Sequence, residues 1–201
     1  MKEFVTIGYS YNELSDGAKE KVKEWYLNDE LRNNLFYEDL IEYLKENFPR
    51  SELKVQYSLS YAQGDGLNIY GRLNMYDFLK IWDACNEVKL LMEKVLDNTD
   101  HWYNFAENRQ YCYSCKFRDL SFLEDDVGDT IRDLENTELN IVDSTEIVRV
   151  FYKALILHFT TLDKKFEKDG YKYFYECEDS EVQEHCESND YYFTESGEFI
   201  E

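Results

Sequence analysis

Apolar and polar positions follow two different rhythms along this chain, and those rhythms predict its elements. Residues 3–7 read as a short strand. Ala18, Val22, Trp25 and Tyr26 then recur at helical spacing, which predicts one buried stripe. Ser15 is placed to cap that helix, and Asp16 sits at its positive end. Phe36, Leu40, Tyr43 and Leu44 predict a second helix over 36–47, stopped at Phe48-Pro49 because the residue before proline avoids helical angles. From Leu53 the period changes to two. Leu53, Val55, Tyr57, Leu59 and Tyr61 alternate with polar or small residues, turn residues follow at Gln63, Gly64, Asp65 and Gly66, and Leu67, Ile69 and Gly71 resume the alternation. This predicts an antiparallel hairpin around 53–73.

The helical rhythm then returns. Phe78, Leu79, Trp82, Cys85, Leu91 and Val95 predict a single helix of about 20 residues. Residues 103–118 alternate again, through Tyr111 and Tyr113, and predict a further strand near 108–118. For residues 119–146 helix and loop are both possible. Ile147, Val148, Phe151, Leu155, Phe159, Leu162 and Phe166 predict a strong amphipathic helix, with Asp169-Gly170 as its stop. Ser180 is placed to cap a last short helix to Ser188, and residues 189–197 close the chain as an irregular or short extended tail. No internal repeat is visible. The expectation is one α+β domain over 1–201: a small antiparallel sheet packed by several amphipathic helices.

Charge adds the most informative feature. The chain has 201 residues, 43 acidic against 22 basic, for a net charge of −21; its apolar share of 43% is sufficient for a core. The acids are concentrated. Residues 119–146 carry a net −9 and residues 176–201 a net −10, so two segments hold nearly all of the excess. A surface this negative repels phosphate backbones and argues against direct nucleic-acid binding. No apolar run approaches the length of a membrane span, and Met-Lys-Glu-Phe does not open a signal peptide, so the expected location is cytoplasmic, with no membrane partner.

Candidate chemistry is sparse. Cys85, Cys112, Cys115, Cys177 and Cys186 are an odd number in a chain with no export signal, which favours reduced, buried thiols over disulfides. Cys112 and Cys115 form a C-x-x-C, but their segment reads as a strand, where residues three apart face opposite sides, so no metal site is expected. His101, His158 and His185 assemble no triad; His158, between Leu157 and Phe159, reads as a boundary packing residue. His185-Cys186 could support thiol chemistry only against acidic surroundings that raise the thiol pKa. Gln63, Gly64, Asp65 and Gly66 form a hairpin turn or, alternatively, a ligand loop, although the Lys-Ser/Thr of a phosphate loop is missing. No cofactor is implied.

Three stretches, read together, carry a resemblance: Tyr11-Asn-Glu-Leu-Ser-Asp-Gly-Ala-Lys-Glu-Lys-Val-Lys-Glu-Trp25, Tyr57-Ser-Leu-Ser-Tyr-Ala-Gln-Gly-Asp-Gly66, and Phe166 through Tyr175 leading to Ser188-Asn-Asp-Tyr-Tyr-Phe-Thr-Glu-Ser-Gly197. They resemble a family of small acidic phage and prophage proteins with "ELSD-x-AK…W", "S-x-QGDG" and "NEYxFTExG" motifs. This chain departs from that pattern at Ala62 and Asp190. The resemblance implies a phage origin and a host-cell location; it transfers no catalytic residue.

Charge and resemblance together favour a phage-encoded anti-defence inhibitor, of the anti-CRISPR or anti-restriction type. Its partner would be a host defence protein whose basic nucleic-acid-binding groove meets a nucleic-acid-mimicking surface. The contact residues expected are Glu124, Asp125, Asp126, Asp129 and Asp133, with Glu178, Asp179, Glu181, Glu184 and Glu187. An antitoxin-like protein neutralising a basic toxin is the first alternative, and an enzyme acting on a nucleotide or small metabolite the second.

Overall fold

The computed structural model describes residues 7–107, 123–134 and 141–200. It is an α+β fold, with a three-stranded antiparallel sheet and a two-stranded one among these residues. The chain divides into two compact units, Met1–Phe36 with Asp169–Glu201, and Tyr37–Lys168.

The second unit holds the larger sheet. Strand β1 (Glu52–Ser58) pairs with β2 (Gly66–Asn74) in the register Val55 opposite Ile69, and β2 pairs with β3 (Trp102–Phe105) through Leu73 opposite Tyr103. The hairpin is the one its alternation predicts. Residues of the expected strand beyond 107 lie outside those described. Helix α3 (Met75–Ile81) follows β2 without a loop, because the Asn74 side chain accepts a hydrogen bond from Tyr76 N at 3.1 Å and caps it. Asp77, fully buried on α3, accepts from Arg50 N and Ser51 Oγ, both at 2.8 Å, and so pins the turn that leads into β1.

The single helix expected after the hairpin is two. Helix α3 ends where Trp82 adopts extended angles (φ −60°, ψ 127°), and α4 (Asn86–Asp97) starts after Cys85. The reason is packing. Turning the chain at Trp82 buries its indole edge-on to Phe151 at 5.1 Å, and α4 then buries Met92, Val95 and Leu96. A helical hydrophobic rhythm is satisfied equally by two helices or one. Cys85, expected in the core, is consequently exposed.

Helix α5 (Leu123–Leu134) resolves the ambiguity of that part of the acidic segment in favour of helix, and α6 (Ile141–Tyr175) is far longer than expected. Within the second unit its Phe159 packs on Phe48 and Phe105, and its Phe151 on Phe78. Asp163 reaches the sheet and accepts from Ile69 N at 2.9 Å. Asp169-Gly170 does not stop the helix. Glycine costs about 1 kcal/mol in a helix interior, and packing beyond it offsets that: Tyr173 stacks on Phe36 at 5.4 Å and Phe174 meets it edge-on at 5.1 Å.

The first unit is built on α1 (Asp16–Leu27). Ser15 caps it as expected, its side chain accepting from Ala18 N at 3.3 Å. The buried stripe Ala18, Val22 and Tyr26 packs with Tyr11, Leu14, Phe193 and the buried face of α7 (Asp179–Ser188), Val182 and Cys186. Helix α7 is capped by position at Glu178, with no side-chain cap bond, rather than at Ser180. Helix α2 (Glu30–Asn47) begins six residues earlier than its apolar spacing predicts, because Asp29 accepts from Leu31 N at 2.9 Å and opens it. The tail forms β4 (Tyr192–Phe193) against β5 (Phe199–Ile200), with Tyr9 bridging Phe193. Ile7, the one described residue of the strand expected at 3–7, has no regular structure.

Candidate functional site

On α5, Val127 and Thr130 turn inward, and the Thr130 hydroxyl lies 3.1 Å from that of Tyr152 on α6. Asp125, Asp129 and Asp133 are exposed. A spacing of four residues puts successive members of this trio on one side of the helix, about 6 Å apart along its axis. Arg132 pairs with Asp129 at 3.0 Å, but both side chains are largely exposed, so the pair holds little energy and leaves the row net negative. The side chains of Glu124 and Asp126 lie outside the described residues.

The five candidate acids of the other segment divide into two groups. Glu178 and Glu184 are exposed and have no ion-pair partner among the described residues. Asp179, Glu181 and Glu187 are bound into the first unit. Asp179 meets Lys23 Nζ at 2.5 Å and accepts from the Tyr11 hydroxyl at 3.3 Å. The Lys23 hydrogen bond is the main influence holding the Asp179 carboxyl below its ordinary value. Burial, then the charge of Asp179, pushes the Tyr11 hydroxyl up to about 12. Glu181 accepts from the Tyr26 hydroxyl at 2.6 Å and lies 3.6 Å from the Arg32 guanidinium. Burial, then that hydrogen bond, raises Tyr26 to about 12. Glu187 accepts from Gln183 at 2.7 Å and Asn12 at 3.3 Å.

Arg32 anchors the same seam. Its guanidinium is clamped between the rings of Tyr26 and Tyr173, at 4.2 and 4.3 Å, and donates to the Tyr173 carbonyl. The cations and tyrosines that engage Asp179 and Glu181 stand as much as 168 positions away in the chain. No local pattern in the sequence announces them.

Asp65 organises the loop between β1 and β2. Its carboxylate accepts from Ser58 Oγ at 2.7 Å, Ser60 N at 2.6 Å and Ala62 N at 2.8 Å. Burial raises its pKa, but these hydrogen bonds together outweigh burial and hold it at about 2. Gly64 carries the positive φ of 94° that the turn requires.

The chain matches no family model, no curated protein and no solved structure with which it was compared.

Among the described residues no cluster of three His, Cys, Asp or Glu groups could hold a metal ion, and no helix is long and apolar enough to cross a membrane. Cys112 and Cys115 lie outside those residues. Cys186 is buried and its thiol is pushed up to about 11, first by burial and then by Glu187. At neutral pH it is therefore a protonated packing group rather than a nucleophile. His185 rests against the rings of Tyr26, Trp25 and Tyr191 at 5.0 to 6.3 Å. His158 sits among Phe48, Phe78 and Phe159, and burial alone pushes its pKa down.

Proposed function

We propose that this protein is an inhibitor that occupies the basic nucleic-acid-binding groove of another protein, of the phage anti-defence kind directed at CRISPR effectors or restriction enzymes in the host cell. The observation that carries the reading is a row of exposed carboxylates, Asp125, Asp129 and Asp133, in a segment of net −9. One strand of duplex DNA presents a phosphate per about 3.4 Å of axis, so a helical row at about 6 Å supplies roughly half that linear density. Carboxylates fixed on a packed helix need no ordering when a basic groove closes on them, and their field steers the encounter. Glu178, at the N-cap of α7, and Glu184, on that helix, add charge. Asp179, Glu181 and Glu187 serve the inhibitor's own packing first, so the α5 row is the principal contact.

The test is competition. Purified protein is titrated into complexes of labelled DNA with a panel of CRISPR effectors and restriction nucleases, in low salt. Displacement from at least one member, with no band formed between inhibitor and DNA alone, is the expected result. Failure to displace DNA from any member, or direct retention of the DNA by this protein, overturns the proposal.

A further inference from the structure

A cleft of about 350 Å³ opens between α3 and α6, lined by Phe78, Ile81, Trp82, Asp83, Leu157 and His158, with Ala154 and Thr161 completing it. Its volume falls within the range of small-molecule sites, and its walls combine apolar side chains with a few polar groups, as such sites do. Three polar groups converge on it. The Asp83 carboxylate is exposed and has no hydrogen-bond or ion-pair partner among the described residues. The imidazole of His158 is held by ring contacts on its apolar sides, and neither ring nitrogen has a hydrogen-bond partner among the described residues. The Thr161 hydroxyl donates to the Leu157 carbonyl at 2.8 Å, which leaves its oxygen able to accept.

These groups choose the ligand. Asp83 only accepts, Thr161 has acceptor capacity left, and an imidazole can accept at one nitrogen, so the cleft is rich in acceptors. Among the described residues no lysine or arginine lines it. Burial keeps His158 toward its neutral form, so the imidazole does not repel a positive charge. Ile81 and Leu157, exposed at the rim, with Phe78 and Trp82 buried beneath them, suit a flat apolar body. From this arrangement we infer that the α3–α6 cleft binds a small planar aromatic cation, its ring against Ile81 and Leu157 above Trp82 and its charged head toward Asp83. The inference is independent of the acidic row on α5.

The experiment uses 2-naphthamidine as probe and 2-naphthamide as a neutral control of the same shape, titrated into the full chain and followed by calorimetry and by the indole N–H resonances of its three tryptophans. Naphthamidine is expected to bind and to shift the Trp82 signal, and naphthamide to bind at least about tenfold more weakly, the scale of one charge-assisted hydrogen bond. Asp83→Asn should remove that difference, and Ala154→Leu, which fills the cleft, should abolish binding of both. Circular dichroism establishes that each variant is folded. Should Ala154→Leu fail to fold, Thr161→Leu at the same cleft replaces it. Absence of naphthamidine binding, equal affinity for the two probes, or an unchanged preference in Asp83→Asn overturns the inference.

Discussion

Glu181 accepts a 2.6 Å hydrogen bond from the hydroxyl of Tyr26, a residue 155 positions earlier. An acid that composition presents as surplus surface charge is thus a fastener between α7 and α1. The same carboxylate faces Arg32, whose side chain is almost fully buried.

Glu181→Ala should therefore destabilise the protein by about 1–2 kcal/mol, because it strips a partner from a buried guanidinium and a buried hydroxyl. Glu184→Ala, at an exposed position on the same helix, should change stability by less than about 0.5 kcal/mol. Urea unfolding of the two variants separates these roles; equal effects would show that Glu181 is only surface charge.

Gly197 closes the tail against α1. It has φ of 85°, and a Cβ there would stand 2.4 Å from the Ala18 carbonyl oxygen. Both strain and collision oppose any side chain, so Gly197→Ala should destabilise by more than about 1 kcal/mol. Amide exchange of Thr194 and Phe193, whose N–H groups bond Glu198 and Tyr9, should accelerate in parallel. Unchanged exchange would refute the tight closure of this hairpin.

The elements that the sequence made legible are those whose signal is local. The Ser15 cap, the α1 stripe, the stop at Phe48-Pro49 and the alternation around Gln63–Gly66 each depend on residues a few positions apart, and each is present in the structure. The failures share the opposite cause. The break at Trp82 depends on Phe151, and passage of α6 through Gly170 depends on Phe36 packing on Tyr173 and Phe174. Tertiary packing overrode local propensity in both. The candidate site divides along the same line. Charge density on α5 is read directly from composition, whereas the engagement of Asp179 and Glu181 depends on Lys23, Tyr11, Tyr26 and Arg32. Those partners are distant in sequence.

His158 supplies a pH dependence with a definite sign. Its folded pKa lies below the ordinary value because burial disfavours the charged imidazolium. Between the folded and unfolded values the unfolded chain binds more protons, so stability rises with pH in that window. The penalty is absent well above about pH 6.5 and complete once pH falls below the folded value. Relative to His158→Gln, the wild-type protein should lose melting temperature as pH is lowered from 7.5 to 5. A constant difference between the two would contradict the burial of this imidazole.

If the α5 row is the contact surface, reversing its charge abolishes inhibition. Asp125, Asp129 and Asp133 are replaced together by Lys, and in a control the exposed Glu24, Glu42 and Glu46 of α1 and α2 are replaced likewise. Displacement of DNA from the most sensitive defence protein is measured for both, in low salt and at about 0.3 M, where exposed charges more than a few ångströms apart are screened. Wild type and the control should inhibit similarly and lose potency in salt, while the α5 variant should be at least about tenfold weaker in low salt. Equal inhibition by both variants would contradict the account and leave the charge of α5 as a device for solubility.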